Sequence, residues 1–116
     1  MIDRMERIIR LIKNEISVIL QEDVNDPDIL PLIITRVEIT RDMRIAKVFC
    51  DLGESDLKRK ETAMKALKRA AKFIRAEIAH RMSLKYTPQI SFYEDMTKVR
   101  GDSIDEIFKK IEEEKQ

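Results

Sequence analysis

Near the start of the chain, apolar side chains recur at Met5, Ile8, Ile9, Ile12, Ile16, Ile19 and Leu20. That 3.6-residue spacing predicts a helix over residues 4–21 with one face turned to a core. Asp3 stands at the N-cap position, and Glu6, three residues on, completes a box-like start. The run EDVNDPD then stops the helix, because Asn, Asp and Pro favour turns. It carries four acids, Glu22, Asp23, Asp26 and Asp28, and no base.

From Leu32 to Thr40 the period falls to two. Ile33, Thr35, Val37 and Ile39 share one face and Ile34, Arg36, Glu38 and Thr40 the other. The first face is the more apolar and is expected inside. Arg41-Asp42-Met43 is a short connection to a second strand over residues 44–52, with Ala46, Val48, Cys50 and Leu52 on one face. So short a link predicts an antiparallel hairpin. Ser55 or Asp56 caps a helical region reaching about Met82, whose buried stripe is Met64, Leu67, Ala71, Ile74, Ile78 and Met82. Tyr86-Thr87-Pro88 breaks it. Residues 89–93 form a third strand with Ile90 and Phe92 on one face, and residues 102–111 a short terminal helix before an acidic end. Helices covering one face of a three-stranded sheet give a two-layer α+β domain.

One residue disturbs this picture. In a straight helix Phe73 stands away from the apolar stripe. A break around Ala70–Lys72 would rotate it onto Ile74 and Ile78, and would split the long helical region into two of ordinary length. It would also set free backbone N–H groups beside Lys72 and Arg75, an arrangement that binds phosphate.

Composition adds little until charge is mapped. The chain has 116 residues, enough for one domain, and is 43% apolar and 39% charged with a net charge of +1. Residues 58–85, however, hold ten Lys or Arg against Glu61 and Glu77, a balance of +8 that leaves the other 88 residues at −7. Lys65, Lys68, Lys72 and Arg75 fall within a sector of about 80° on the helix, with Arg69 at its edge. No carboxylates are interleaved along that row to relieve like-charge repulsion. A partner supplying negative charge is therefore expected, and nucleic-acid phosphate fits best. A merely solvated face, an acidic protein partner and an anionic membrane remain open. The membrane reading is the weaker because the apolar stripe is needed to cover the sheet.

Chemistry is sparse. The lone His80 and lone Cys50 give no zinc site, no nucleophilic triad and no disulfide, and Gly53 and Gly101 build no phosphate loop. Neither catalysis nor a metal or other cofactor is expected. Cys50 reads as a buried apolar thiol, and Phe49 and Tyr93 as core or edge residues, so phosphate contacts should outweigh base stacking. The start MIDRMERIIRLIKNEI is too charged for a signal sequence, and no run is apolar enough to span a membrane. A reduced cytoplasmic setting follows.

Several dispersed blocks carry a resemblance. LQEDVNDPDI, ITRVEITRDMRIAKVFCDL, LKRAAKFIRAEIAHRM, YTPQISFYEDMT and SIDEIF stand in the order and spacing of the ribosome-binding factor A family. The resemblance implies a K-homology-like domain of the type II arrangement over residues 1–100, in the order helix–strand–strand–helix–helix–strand, and a short helical acidic tail over 101–116. It further implies an assembly factor that binds the immature small (30S) ribosomal subunit through 16S rRNA. Such a factor promotes late rRNA processing and subunit maturation, matters especially for growth in the cold, and has no catalytic activity. The family commonly carries an Ala-x-Gly kink between the paired helices. Here the matching residues are Ala70-Ala71-Lys72, and both alanine and lysine favour continuation of the helix.

The combined expectation is a cytoplasmic monomer whose RNA contacts come from Lys65, Lys68, Arg69, Lys72 and Arg75, then Arg81 and Lys85. Arg36, Arg41 and Arg44 are candidates to extend the surface. The acidic turn at 22–28 would repel misplaced RNA or simply stop a helix. The rival expectation is an adaptor whose basic helical face meets an acidic protein.

Overall fold

The structure, a computed structural model, describes residues 3–97. The elements run α1 (Arg4–Glu22), β1 (Ile33–Ile39), β2 (Ile45–Asp51), α2 (Leu57–Arg81) and β3 (Gln89–Glu94). The expected terminal helix at 102–111 lies outside the described residues.

Each helix begins where its capping chemistry dictates. The Asp3 carboxylate accepts from the Glu6 amide at 2.8 Å, and Asp56 accepts from the amides of Lys58 and Arg59 at 2.9 and 3.3 Å. Each cap satisfies amides with no partner inside the helix and contributes about 1 kcal/mol. The sheet order is β1-β2-β3, with β2 antiparallel to β1 and parallel to β3. The hairpin follows from the short link; the parallel pair needs a long crossover, and α2 supplies it.

Both helices cover one face. Ile8, Ile12, Ile16 and Ile19 of α1, with Ala63, Leu67, Ile74 and Ile78 of α2, meet Ala46, Val48 and Cys50 of β2 and Ile90 and Phe92 of β3. Fully burying one such aliphatic or aromatic side chain is worth about 1.5–3 kcal/mol. Among the described residues no polar or charged residue is buried with them. Cys50 is wholly buried, and burial, reinforced by the charges of Glu94, Asp51 and Asp95, pushes its thiol up to about 11. It is an unreactive apolar side chain.

Two expectations are corrected. First, β1 does not alternate as its pattern suggests. The pairing with β2 slips between Ile34 and Arg36, a bulge at Thr35. Ile34 and Val37 face the core, while Ile33 is 70% exposed. One extra residue in a strand reverses the face of everything on one side of it. Second, α2 is a single helix of 25 residues with no break at Ala70–Lys72, so the paired-helix order is not found. Phe73 stays where a straight helix puts it, 44% exposed. Nothing at Ala70-Ala71-Lys72 opposes helix, and the stripe through Leu67, Ile74 and Ile78 buries without a kink.

Candidate nucleic-acid interface

The straight course of α2 divides its cations between its flanks. On one flank, Lys68, Lys72 and Arg75 line a groove of about 590 Å³ whose other wall is β3, from Gln89 to Tyr93. β3 is a sheet edge, so the outer backbone groups of its free side border the same space. None of these three cations has a carboxylate within 4 Å among the described residues. Arg75 is held in place: its Nε and one terminal nitrogen both donate to the Thr87 carbonyl, at 3.2 and 3.0 Å. At the other end, Lys60 and Glu94 pair at 2.8 Å and tie α2 to the end of β3.

Lys65 continues the row by one turn, but it pairs with Glu61 at 3.2 Å. The expectation of a row without carboxylates therefore fails at this one position. Both side chains are two-thirds exposed, and such an i,i+4 pair is worth only about 0.3–0.5 kcal/mol. A phosphate can displace it.

The opposite flank faces α1 and the acidic turn. Arg69 lies 3.4 Å from Asp26 and 3.5 Å from Asp28. Arg81 gathers Glu15 at 3.4 Å, Glu77 at 3.6 Å and Asp23. Neither cation belongs to the groove. The acidic run at 22–28 ends α1 and also sets Asp26 and Asp28 against Arg69 and Asp23 against Arg81. Lys85 sits beyond the helix beside the Tyr86 ring, 5.7 Å from its centre, on an apolar depression with Met5, Ile8, Met43 and Leu84.

Of the candidate extensions, Arg44 joins and Arg36 does not. Arg44 shares with Arg75 a second depression of about 510 Å³, formed with Asp42, Tyr86, Thr87 and Gln89, and its Nε lies 3.8 Å from Asp42 in an exposed pair that a phosphate can displace. It is presented by a tight turn. The Thr40 hydroxyl donates to Asp42 at 2.7 Å, the Arg44 amide to Asp42 at 3.1 Å, and the Ile45 amide to Thr40 Oγ1 at 3.1 Å. The Thr40 hydroxyl, and after it the Arg44 amide, hold the Asp42 carboxyl below its usual range. Met43 takes the left-handed conformation, φ 65°, that closes the turn. Arg41 is exposed. Arg36 lies on the open face of the sheet, across β2 and β3 from the helices, with its guanidinium carbon 3.9 Å from the centre of the Phe49 ring.

Reading the cations along one helix missed the groove's second wall. Its signal was present in β3, where Gln89, Ser91 and Tyr93 alternate with the buried Ile90 and Phe92.

Fold and site define a class: a small two-layer α+β domain that, among the described residues, sets an uncompensated row of cations beside a free sheet edge. The family model described as Ribosome-binding factor A matches residues 4–108, and the chain belongs to that family. It is similar to the ribosome-binding factor A of Clostridium novyi (strain NT), 41% identical over 113 residues that span 97% of this chain and 93% of that one. Among solved structures it is similar to the crystal structure of ribosome-binding factor A from Thermus thermophilus, with a TM-score of 0.67, 22% identity, and coverage of 76% of this chain and 91% of that one. It is also similar in fold to the Thermus thermophilus ribosome-binding factor A homology model fitted into the cryo-EM map of a 30S complex, with a TM-score of 0.57, 22% identity, and coverage of 78% and 89%.

Proposed function

We propose that this chain is a ribosome assembly factor that binds the immature small (30S) subunit through 16S rRNA. It promotes late rRNA processing and subunit maturation by binding alone, with no chemistry of its own. The observation that carries the reading is the groove row Lys68, Lys72 and Arg75, with no carboxylate paired to any of the three among the described residues. Lys65 and Arg44 extend it at either end. Membership of a family named for ribosome binding supports the target, as does the fold neighbour fitted into a 30S complex. The K-homology-like assignment is supported by a helix laid beside a sheet edge in the order helix–strand–strand–helix–strand. The reading includes a cytoplasmic monomer needed for growth in the cold.

Within it, Arg69, Arg81 and Lys85 are removed from the contact set. The first two lie on the opposite flank, held by carboxylates of α1 and the acidic turn, and Lys85 lies on a different surface. Phosphate contacts position the factor and leave base identity unread along the row.

The test is binding to immature small subunits across a salt series. Lys68→Glu with Lys72→Glu should weaken binding severely and flatten the slope of log K against log salt by about 0.7 for each single-strand phosphate that is no longer neutralised. Arg7→Glu with Arg10→Glu, an equal charge change at two exposed sites on α1, should do little. Equal binding by all three proteins rejects the groove. Association that survives nuclease treatment favours the acidic-protein adaptor instead.

A further inference from the structure

The face of the sheet turned away from the helices carries a feature that the phosphate row does not explain. The register sets Arg36 opposite Phe49 and Phe49 opposite Tyr93, so the three side chains form one row across all three strands. Arg36 stacks on Phe49, and the Phe49 and Tyr93 rings are stacked with centres 5.5 Å apart and planes 27° from parallel. The bulge at Thr35 creates the row, because without it Arg36 would point the other way. Phe49 is half-buried in the middle, and Tyr93, at the free edge, is 44% exposed.

Building on the RNA reading above, we propose that Tyr93 is a stacking site for one unpaired RNA base whose backbone lies on Lys68, Lys72 and Arg75. Continuity carries the assignment. Tyr93 belongs to both surfaces, since it borders the basic groove on one side of β3 and ends the aromatic row on the other. Phe49, itself covered by Arg36, stacks on one side of the Tyr93 ring and restrains it, which lowers the conformational freedom lost when a base arrives.

The local charges say which part of a nucleotide fits. Beside the cations Arg36 and Lys47, this face carries Glu38, paired to Arg36 at 3.2 Å and opposite Lys47, and Asp51, with Asp95 at its edge accepting from the Thr35 hydroxyl. This small excess of carboxylates disfavours a phosphate and accepts a neutral base. The backbone therefore stays in the groove and the base turns over the edge. A base within a duplex cannot do this, so the site selects a single-stranded or bulged nucleotide.

The experiment measures binding of the full chain to a short single-stranded RNA and to the same sequence as a duplex. Tyr93→Ser should weaken single-strand binding on the order of tenfold and leave duplex binding unchanged, whereas Tyr93→Phe should retain it. A purely structural cross-strand pair would not produce that split. A second readout needs no variant at the site. The chain lacks tryptophan and has two tyrosines, so in a Tyr86→Phe background the fluorescence of Tyr93 should be quenched by single-stranded RNA. Single-strand binding equal to wild type in Tyr93→Ser, or no quenching on binding, overturns the platform. Loss of association with immature subunits while oligonucleotide binding stays intact overturns it too, and assigns the face to a protein contact. Wild-type binding to duplex alone rejects the platform and spares the groove. Binding to neither RNA, or binding indifferent to Lys68→Glu with Lys72→Glu, rejects the groove itself.

Discussion

Replacing Lys72 by glycine asks whether α2 is held straight by its own sequence. Lys72 is exposed in the interior of the 25-residue helix, nine residues before its end. The family resemblance implies a glycine at this position. In a continuous helix, glycine costs about 1 kcal/mol relative to alanine, because more backbone freedom is lost on folding. The lysine charge complicates a direct comparison, since removing it relieves repulsion from Lys68 and Arg75 by a few tenths of a kcal/mol per pair. Lys72→Ala loses the same charge, so the contrast between Lys72→Gly and Lys72→Ala isolates the backbone. For a domain of this size, about 1 kcal/mol is a gap in melting temperature of about 4–8 °C, with glycine the lower. Thermal unfolding followed by far-UV circular dichroism measures it, and urea midpoints at constant slope check that the unfolded state has not changed. If position 72 instead sat at a natural break, glycine would match or exceed alanine, because it would enter a conformation alanine cannot adopt without strain. Equal or inverted stabilities would refute the continuous helix.

Two other perturbations test how the surface charges are apportioned. Arg81→Gln leaves Glu15, Asp23 and Glu77 clustered without their common cation; the melting temperature should fall most at low salt and recover as salt screens the carboxylates, while RNA affinity holds. A loss of RNA affinity with unchanged stability would return Arg81 to the contact surface. Thr35→Ala removes the hydroxyl that, with the Thr97 groups and Arg36 adding, holds Asp95 down at about 2 against an ordinary 3.8. A depressed carboxyl stabilises the fold above its unfolded value and loses that contribution as pH falls through its folded one. The variant's stability deficit should therefore be full above pH 3.8 and close towards pH 2. An Asp95 carboxyl titration unmoved by the substitution would overturn the assignment.

Local pattern was sufficient wherever one periodicity had one solution. The stripe Ile8, Ile12, Ile16 and Ile19 can bury only as a helix, and Ala46, Val48 and Cys50 alternate cleanly along β2. Both caps, at Asp3 and Asp56, lie beside the helices they start. The clustering of positive charge at 58–85 was equally plain, because it is a property of neighbours in the chain.

The rest depended on residues far apart. In β1 the adjacent Ile33 and Ile34 satisfy either register, and only pairing with β2 decides that Ile34 goes inside and that Thr35 bulges. Whether a lysine or arginine on α2 is available depends on what the fold sets against it. Asp26 reaches Arg69 across 43 residues and Asp23 reaches Arg81 across 58, while Lys68 and Lys72 face a strand edge. The Arg36–Phe49–Tyr93 row exists only once three strands are in register. Helical periodicity and capping are set within a few residues, so the chain alone determined where its helices start and the total of its charge. Compensation of charge and the joining of side chains across strands are set by chain closure, so only the tertiary structure decided which cations, and which aromatic ring, are left to meet a partner.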